Sequence, residues 1–220
     1  MSKKFKVLSC KLLLLSLISL IEIGYIFSPG LARDATKYIV IDAKGGDKPG
    51  EFALGWKASD PDKRNWPMYP TKLAVDSKGN IYIADGANHR IQKFGPKGNL
   101  LSVIKVMKSV RAMIIDFKDD LIIADGGHCI KKFNSKGELL LQFGEKGKYG
   151  KKGGDKQFVN IIKMSVDPAG NMYVEDRTGP REKPTLGCRM RKFSPDGELI
   201  KDFEGVTRQE APPIFDKDIL

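Results

Sequence analysis

Short apolar runs, each closed by an aspartate and a turn, set the hydrophobic pattern of the chain from residue 68 onward. Residues 73–75 end at Asp76, residues 81–84 end at Asp85, and a third run reaches Phe94. Runs of this length, bounded by Gly, Asn, Asp and Pro, are typical of β-strands joined by tight turns. The pattern therefore predicts antiparallel strands.

The same order of strands returns twice more along the chain. The aspartate that ends the first strand of each copy is Asp76, Asp116 or Asp167, which gives spacings of 40 and 51 residues. Four antiparallel strands in a unit of roughly 40 to 50 residues are the signature of a β-propeller blade. We predict an all-β fold, a partial β-propeller with three clear four-stranded blades at residues 68–106, 107–157 and 158–204 and an incomplete fourth blade at 205–220.

Residues 70–94 resemble the NHL repeat, a family named after its Asn-His-Leu type of motif. The matching strings are Leu-Ala-Val-Asp, Gly-Asn-Ile-Tyr-Ile-Ala-Asp and Asn88-His89-Arg90-Ile91. The first copy is a close match, the second is weaker and the third contains an insertion, and together they cover about residues 68–203. The resemblance implies a propeller, commonly of six blades, that serves mainly for binding. It implies no particular ligand.

The number of blades raises the question of closure. At the observed spacing the chain holds about four blades, and an open array leaves the faces of its end blades uncovered. Residues 213–220 resemble the start of a further repeat, with Asp216 lying 49 residues after Asp167. We expect either a truncated propeller or a half that closes by self-association, and we favour truncation.

The first 32 residues have the pattern of a secretory signal. Four lysines, an apolar run and the triplet Gly30-Leu31-Ala32 predict a signal helix that is cleaved after Ala32. The alternative is an uncleaved anchor formed by residues 12–27, although Glu22 disfavours a membrane span. We therefore predict a secreted or extracytoplasmic protein, in the periplasm or cell envelope, in which residues 33–67 form an N-terminal strand and an aromatic, basic linker.

Charge narrows the class of partner. The formal net charge is +11, and removal of residues 1–32, with four lysines and one glutamate, leaves +8. Outside the cytoplasm a basic surface suits an acidic protein or an anionic polymer or surface, and it makes nucleic acid an unlikely partner. A solvated lysine-rich surface is the alternative interpretation. Membrane contact is expected only through the N-terminal segment, if that segment is uncleaved.

The polar residues that follow the second strands suggest either chemistry or architecture. Asp85 has equivalents in Asp125 and Asp176, and a catalytic acid is not normally copied into every repeat. We interpret these three aspartates, with Asn88 and Arg90, as structural residues of the repeat. No catalytic residue is predicted, since the sequence lacks the usual hydrolase, metalloprotease and phosphate-loop motifs.

Two histidines leave a metal site open as a weak alternative. His89 aligns with His128, and Cys188 lies near the matching position of the third copy. A catalytic zinc normally has three protein ligands, so these three residues are the candidate set, whereas packing at strand ends is the favoured interpretation. No cofactor is predicted. Cys129 and Cys188 would pair in an oxidising compartment if their geometry permits.

Blade topology places the long segments at one end of the blades, the usual location of recognition loops on a rigid scaffold. The segment 144–157 carries five lysines against Glu145 and Asp155, and the segment 50–69 carries two tryptophans. The predicted ligand-binding residues are Lys146, Lys148, Lys151, Lys152, Trp56 and Trp66. The predicted function is a non-catalytic binding or protein-interaction module. The alternative is a propeller enzyme, a metal-dependent lyase or hydrolase with an axial site.

Overall fold

The structure is a computed structural model, and it describes residues 4–10, 37–53, 55–56, 67–68, 70–107, 109–148, 154–178 and 188–203. Over these ranges the regular structure is β-strand, apart from one 3-10 turn at Gly86–Asn88. No helix in the described part of the chain is long and apolar enough to cross a membrane. The chain divides into two compact units, Met1–Val106 and Met107–Leu220.

The first unit begins with two small antiparallel pairs. Strand β1 (Lys4–Cys10) pairs with β2 (Lys37–Lys44), and β3 (Gly55–Trp56) pairs with β4 (Pro67–Met68). The start of the predicted signal helix is therefore extended in β1. The apolar run predicted to be helical falls in residues 11–36, outside the described residues, so cleavage and anchoring stay predictions.

The first blade completes this unit. It consists of β5 (Lys72–Val75), β6 (Ile81–Asp85), β7 (Arg90–Phe94) and β8 (Leu100–Lys105), hydrogen-bonded in that order and antiparallel throughout. One face of the blade packs on the part of the chain that precedes it in sequence. Ile41 and Phe52 form one buried cluster with Ile83 and Phe94 of the blade. The rings of Phe52 and Phe94 lie 5.9 Å apart between centroids.

The second unit holds two more blades of the same design. The second blade comprises β9 (Val110–Ile115), β10 (Leu121–Asp125), β11 (Cys129–Phe133) and β12 (Leu139–Phe143). A parallel pair, β13 (Glu145–Lys146) with β14 (Gln157–Phe158), follows it. The third blade comprises β15 (Ile161–Val166), β16 (Met172–Arg177), β17 (Cys188–Phe193) and β18 (Leu199–Phe203). The prediction of an all-β fold with three four-stranded blades is confirmed; residues 204–220, predicted to begin a fourth, lie outside the described residues.

A shared core joins the blades of the second unit. The side chains of Phe143, Phe158 and Phe193 form a triangle with centroid distances of 5.2, 5.7 and 6.3 Å. Phe143 ends β12 and Phe158 ends β14, so the segment between these blades is fixed by aromatic packing at both ends. Aromatic contacts of this kind contribute about 0.5–1.5 kcal/mol each beyond the area they bury.

An aspartate organises the first hairpin of every blade. Asp76 Oδ1 accepts the backbone N–H groups of Lys78 and Asn80 at 3.1 and 2.8 Å. Asp116 and Asp167 accept from the residue four positions later in the same way, at 2.9 and 2.8 Å. A side chain that satisfies turn amides fixes the turn locally, which explains why this residue returns with the repeat.

Candidate functional site

The aspartate at the last or second-to-last position of the second strand of each blade, here called the strand-ending aspartate, is buried and accepts hydrogen bonds from the chain that leads into the blade. We call residues 45–53, 106–107 and 154–160 the lead-in segments of the first, second and third blades. Asp85 Oδ1 accepts the amide of Ala53 at 3.2 Å, Asp125 Oδ2 accepts that of Met107 at 3.1 Å, and Asp176 Oδ1 accepts those of Val159 and Asn160 at 3.0 and 2.7 Å. The three carboxylates thus have one repeated structural use.

The first lead-in segment is held by side chains of β7. The Arg90 guanidinium donates through Nη1 to the carbonyl oxygen of Asp47 and through Nη2 to that of Glu51, at 2.7 Å for the second bond. Gln92 donates to the same Glu51 oxygen at 2.7 Å and accepts the amide of Gly50 at 2.7 Å. These contacts span about 40 positions of sequence and form a side-chain clamp on a loop backbone.

Arg90 also joins the clamp to the strand-ending aspartate. Its Nε donates to Asp85 Oδ2 at 3.0 Å, and Asn88 Nδ2 donates to the same oxygen at 2.8 Å. Asn88 Nδ2 further donates to the carbonyl oxygen of Gly46 at 3.0 Å. Asn88 and Arg90 therefore both contact Asp85 and the first lead-in segment, while the purely structural role of these residues stays a prediction.

The third blade has an equivalent clamp built from two arginines. Arg191 Nη1 donates to the carbonyl oxygen of Asp155 at 2.5 Å, and Nη2 donates to that of Gln157 at 2.9 Å. Arg189 Nη2 donates to the same Gln157 oxygen at 2.9 Å. The Arg191 guanidinium is fully buried and lies over the ring of Phe158, 4.2 Å from its centroid.

Burial sets the electrostatics of this second clamp. Burial lowers the pKa of Arg191 to about 10, helped by the positive charge of Arg189 and opposed by the carboxylates around it. Burial likewise raises the pKa of Asp176 above its ordinary value, against the lowering effect of the two amides and the two guanidinium groups. The carboxylate and the two arginines thus compensate one another in a site with little water.

The lead-in segment of the second blade is short, and no guanidinium clamp is present among the residues of this blade that the structure describes. Cys129 lies opposite Asp125 and Lys131 lies opposite Ile123, at the register positions that Arg189 and Arg191 occupy in the third blade. Lys131 Nζ contacts Asp125 Oδ2 at 2.7 Å. Burial raises the pKa of the Cys129 thiol, so this position is neutral where the other blades carry an arginine.

The lysine-rich segment predicted to bind a ligand has an ordered base. We call residues 144–157 the lysine linker. Its ends form the parallel pair β13–β14, with the Glu145 amide donating to the Lys156 carbonyl oxygen at 2.8 Å and the Gly147 amide to that of Phe158 at 2.7 Å. Lys146 and Lys148 are exposed, and Lys156 contacts Glu198 at 2.7 Å. Lys151 and Lys152 lie outside the described residues.

Gly144 is required where the lysine linker leaves the second blade. Its φ is +110°, and an added Cβ would lie 2.6 Å from the carbonyl oxygen of His128 and 3.0 Å from the Phe158 ring. Only glycine adopts this backbone conformation without strain. The direction in which the linker starts is thus fixed by the backbone itself.

The aromatic part of the predicted binding face is described only in outline. The backbone at Trp56 lies in β3, opposite Pro67 of β4. Trp66 lies outside the described residues, as does the side chain of Trp56. Their predicted part in binding stays a prediction.

The candidate metal ligands belong to both units of the chain. His89 is an exposed turn residue with φ of +52° in the first unit, whereas His128 and Cys188 belong to the second. Cys129 and Cys188 are not joined by a disulfide. Across the described ranges, no three His, Cys, Asp or Glu side chains come together as a metal site.

Sequence reasoning did not identify the clamp residues Gln92, Arg189 and Arg191 as a set. A signal for them is present, because the tetrapeptide Gly-Gly-Asp-Lys occurs at 45–48 and again at 153–156. In both copies the carbonyl oxygen of its aspartate accepts a guanidinium Nη1. The repeated tetrapeptide therefore marks the two clamped lead-in segments.

The family model and the curated relatives that match this chain all contain the NHL repeat. A family model described as NHL repeat matches residues 68–94. The chain is 30% identical over 171 residues to NHL repeat-containing protein 3 of Mus musculus and 26% identical over 171 residues to the protein of that name in Homo sapiens. Each match covers 68% of this chain and 48% of the relative, so the chain spans about half the length of the curated relatives it matches.

Solved structures with a similar fold have low sequence identity. A protein of unknown function from Bacteroides caccae is 17% identical, with 64% of this chain and 49% of that chain covered and a TM-score of 0.43. Hydrazine synthase of Kuenenia stuttgartiensis is 12% identical, with 63% and 38% covered and a TM-score of 0.48. BamB of Moraxella catarrhalis is 14% identical, with 64% and 38% covered and a TM-score of 0.44. With every TM-score below 0.5, these likenesses say nothing about function.

Proposed function

The chain belongs to the NHL-repeat β-propeller proteins, and on that premise we propose that it is a non-catalytic, extracytoplasmic module that binds an acidic segment of a partner protein through the lysine linker. The observation that carries the proposal is the ordered base of this linker. It presents Lys146 and Lys148 to solvent from a fixed strand pair.

The polar residues that repeat through the blades support a binding role over a catalytic one. Asp85, Asp125 and Asp176 each accept lead-in amides and contact a neighbouring cation. A buried carboxylate that is hydrogen-bonded to backbone amides and paired with a cation is poorly placed to transfer a proton to a substrate. Lys146 and Lys148, the exposed lysines in the described part of the linker, take no part in these contacts.

Charge favours an acidic protein segment as the ligand. The linker carries five lysines against one glutamate and one aspartate, so a run of acidic side chains would meet a local excess of positive charge. Charges at an exposed rim act mainly by steering and specificity and are screened over about 10 Å at 0.1 M salt. Binding should therefore weaken as salt is raised.

The test compares two double variants with the same change in charge. Lys146→Glu with Lys148→Glu alters the linker, whereas Lys97→Glu with Lys136→Glu alters exposed turns elsewhere. With a fluorescein-labelled oligoglutamate peptide as the probe at low salt, we expect the linker variant to lose about tenfold in affinity and the turn variant at most about twofold. Circular dichroism should be the same for both.

Equal losses in the two variants would show that only the net charge matters and would contradict the proposal. Binding of the probe that is unchanged in the linker variant would do the same. Preference for vesicles of anionic phospholipid over the peptide would replace the protein partner by a membrane surface. A stoichiometric divalent metal in the purified protein, found by elemental analysis, would favour an enzyme.

The extracytoplasmic location has its own test. The proposal rests on the basic, apolar and small-residue pattern of residues 1–32. N-terminal sequencing of material exported from an expressing cell should begin at Arg33. Retention of residues 12–27 in a membrane fraction would support the anchor instead.

A further inference from the structure

The base of the lysine linker is held by a buried side chain that takes no part in its surface. Arg191 makes its hydrogen bonds to the carbonyl oxygens of Asp155 and Gln157, the two residues that flank Lys156. Its guanidinium is completely buried and covers the Phe158 ring. The second strand of the linker base is therefore fixed from inside the third blade.

We propose that Arg191 is a positioning residue for recognition of the acidic partner segment, through its clamp on the lysine linker. This inference rests on the proposed function. A linker base that is ordered before binding loses less conformational freedom on binding than a free one, so Lys146 and Lys148 bind more tightly without any added contact.

The two arginines of the third blade act on the linker from one side. Arg189 and Arg191 share the Gln157 carbonyl oxygen, and Asp176 holds Asn160 three residues further on. The amide of Gly147, directly after β13, donates to the carbonyl oxygen of Phe158. This bond fixes the segment with Lys146 and Lys148 relative to Phe158. Hydrogen bonds from Arg191 to Gln157 and from Gly147 to Phe158 thus fix the backbone of the linker base next to the exposed Lys146 and Lys148.

The first unit supplies a matched clamp without a lysine-rich loop. Arg90 holds the Asp47 and Glu51 carbonyl oxygens as Arg191 holds those of Asp155 and Gln157. The loop it holds, residues 45–53, contains a single lysine, Lys48. Loss of either clamp removes a buried guanidinium from a lead-in segment. Only loss of the Arg191 clamp removes hydrogen bonds to the lysine linker.

The experiment measures peptide affinity and kinetics in three variants of the full chain. Arg191→Met removes every donor while it keeps an extended side chain, Arg191→Gln supplies the amide that Gln92 provides in the first blade, and Arg90→Met is the matched control. With the labelled oligoglutamate peptide, Arg191→Met should bind about five- to tenfold more weakly. Arg191→Gln should recover part of that loss, and Arg90→Met should bind like the parent chain.

Kinetics separate positioning from a loss of charge. The exposed lysines remain in Arg191→Met, so the association rate should change by less than about twofold and the loss should come from faster dissociation. A general loss of folded protein would instead lower the amplitude of binding and leave the dissociation rate unchanged. Thermal unfolding of Arg191→Met and Arg90→Met should show similar destabilisation.

If Arg191→Met and Arg90→Met weaken peptide binding equally, the proposal is overturned. It is also overturned if Arg191→Met binds the peptide normally while the Lys146→Glu, Lys148→Glu double variant no longer binds it. Normal binding by that lysine variant would refute the proposed function itself. Should Arg191→Met fail to fold, hydrogen exchange of the parent chain decides. The Gly147 and Gln157 amides should be protected before peptide is added, and protection that arises only with peptide would contradict a linker positioned in advance.

Discussion

The second and third blades have equivalent strand-ending aspartates, Asp125 and Asp176, which accept hydrogen bonds from lead-in segments of different length. In the third blade, Asp176 lies between two lead-in amides and two guanidinium groups. In the second blade, Asp125 accepts the lead-in amide of Met107 and contacts the ammonium of Lys131. The comparison indicates that the aspartate is present in every repeat, whereas the arginines accompany a long lead-in segment.

The first hairpins of these two blades differ as well. In the third blade Asn171 Nδ2 donates to Asp167 Oδ2 at 2.8 Å, and the turn contains Gly170. In the second blade the equivalent positions are Asp120 and Asp119, and Lys132 contacts both Asp116 and Asp120, at 2.7 and 3.2 Å. Burial acts to lower the pKa of Lys132, but its bonds and charges with the two aspartates outweigh burial and raise it.

The largest expected effect separates the two strand-ending aspartates. Asp176→Ala should lower the free energy of unfolding by about 4 kcal/mol, because it removes the carboxylate that contacts two buried guanidinium groups, of which only Arg189 keeps a contact with Asp202. Asp125→Ala should lower it by about 2 kcal/mol, since it leaves a single buried ammonium, that of Lys131, without this carboxylate. Urea unfolding followed by circular dichroism measures both, and equal losses would show that the arginines do not depend on the aspartate.

A smaller effect concerns the hairpin of the second blade. Asp119 has φ of +63°, whereas Gly170 has the matching position in the third blade with φ of +86°. Asp119→Gly should stabilise the chain by about 0.5–1 kcal/mol, because the left-handed conformation costs a side chain more than it costs glycine. Gly170→Asp is the reverse variant and should destabilise. A lower melting temperature for Asp119→Gly would show that the aspartate side chain stabilises its turn.

The neighbouring position should respond less. Asp120→Asn would place an amide beside Asp116, as Asn171 lies beside Asp167. A donor then replaces a second negative charge, and we expect a gain of about 0.5 kcal/mol at neutral pH. Differential scanning calorimetry should detect it as a small rise in melting temperature. A fall would mean that the ion pair of Asp120 with Lys132 outweighs repulsion between the carboxylates.

The smallest effect depends on pH. The pKa of Asp167 lies below its ordinary value of 3.8: burial acts to raise it, but the hydrogen bonds from Asn171 and the contact with Lys192 outweigh burial. A carboxyl with a lowered folded pKa stabilises the chain above the unfolded pKa, and that contribution is lost as pH falls below 3.8. The melting temperature of Asp167→Asn should therefore fall less steeply with acid than that of the parent chain, and Asp196→Asn is the exposed control with the same change in charge. Identical acid profiles for Asp167→Asn and the parent would remove this contribution.

The sequence predicts the strands and turns because their determinants are local. A turn aspartate such as Asp76 accepts hydrogen bonds from residues within six positions, so its repetition indicates the hairpin directly. The clamps are different, since Arg90 contacts the backbone of Asp47 across 43 positions. A carbonyl oxygen is available at every residue, and no residue type marks which one is used. Only the second occurrence of Gly-Gly-Asp-Lys gives a sequence signal for the loop that a clamp holds.

The paired base of the lysine linker has a consequence for protein engineering. Because β13 and β14 fix both ends and Gly144 fixes the exit from the second blade, we expect the blades to keep their places when the connection between these strands changes in length. Each doubling of the length of an inserted flexible peptide costs only about 0.6 kcal/mol more. Foreign peptides inserted between Lys148 and Gly154 should therefore leave the blades folded, and the molecule could serve as a display scaffold whose specificity is rewritten at one loop.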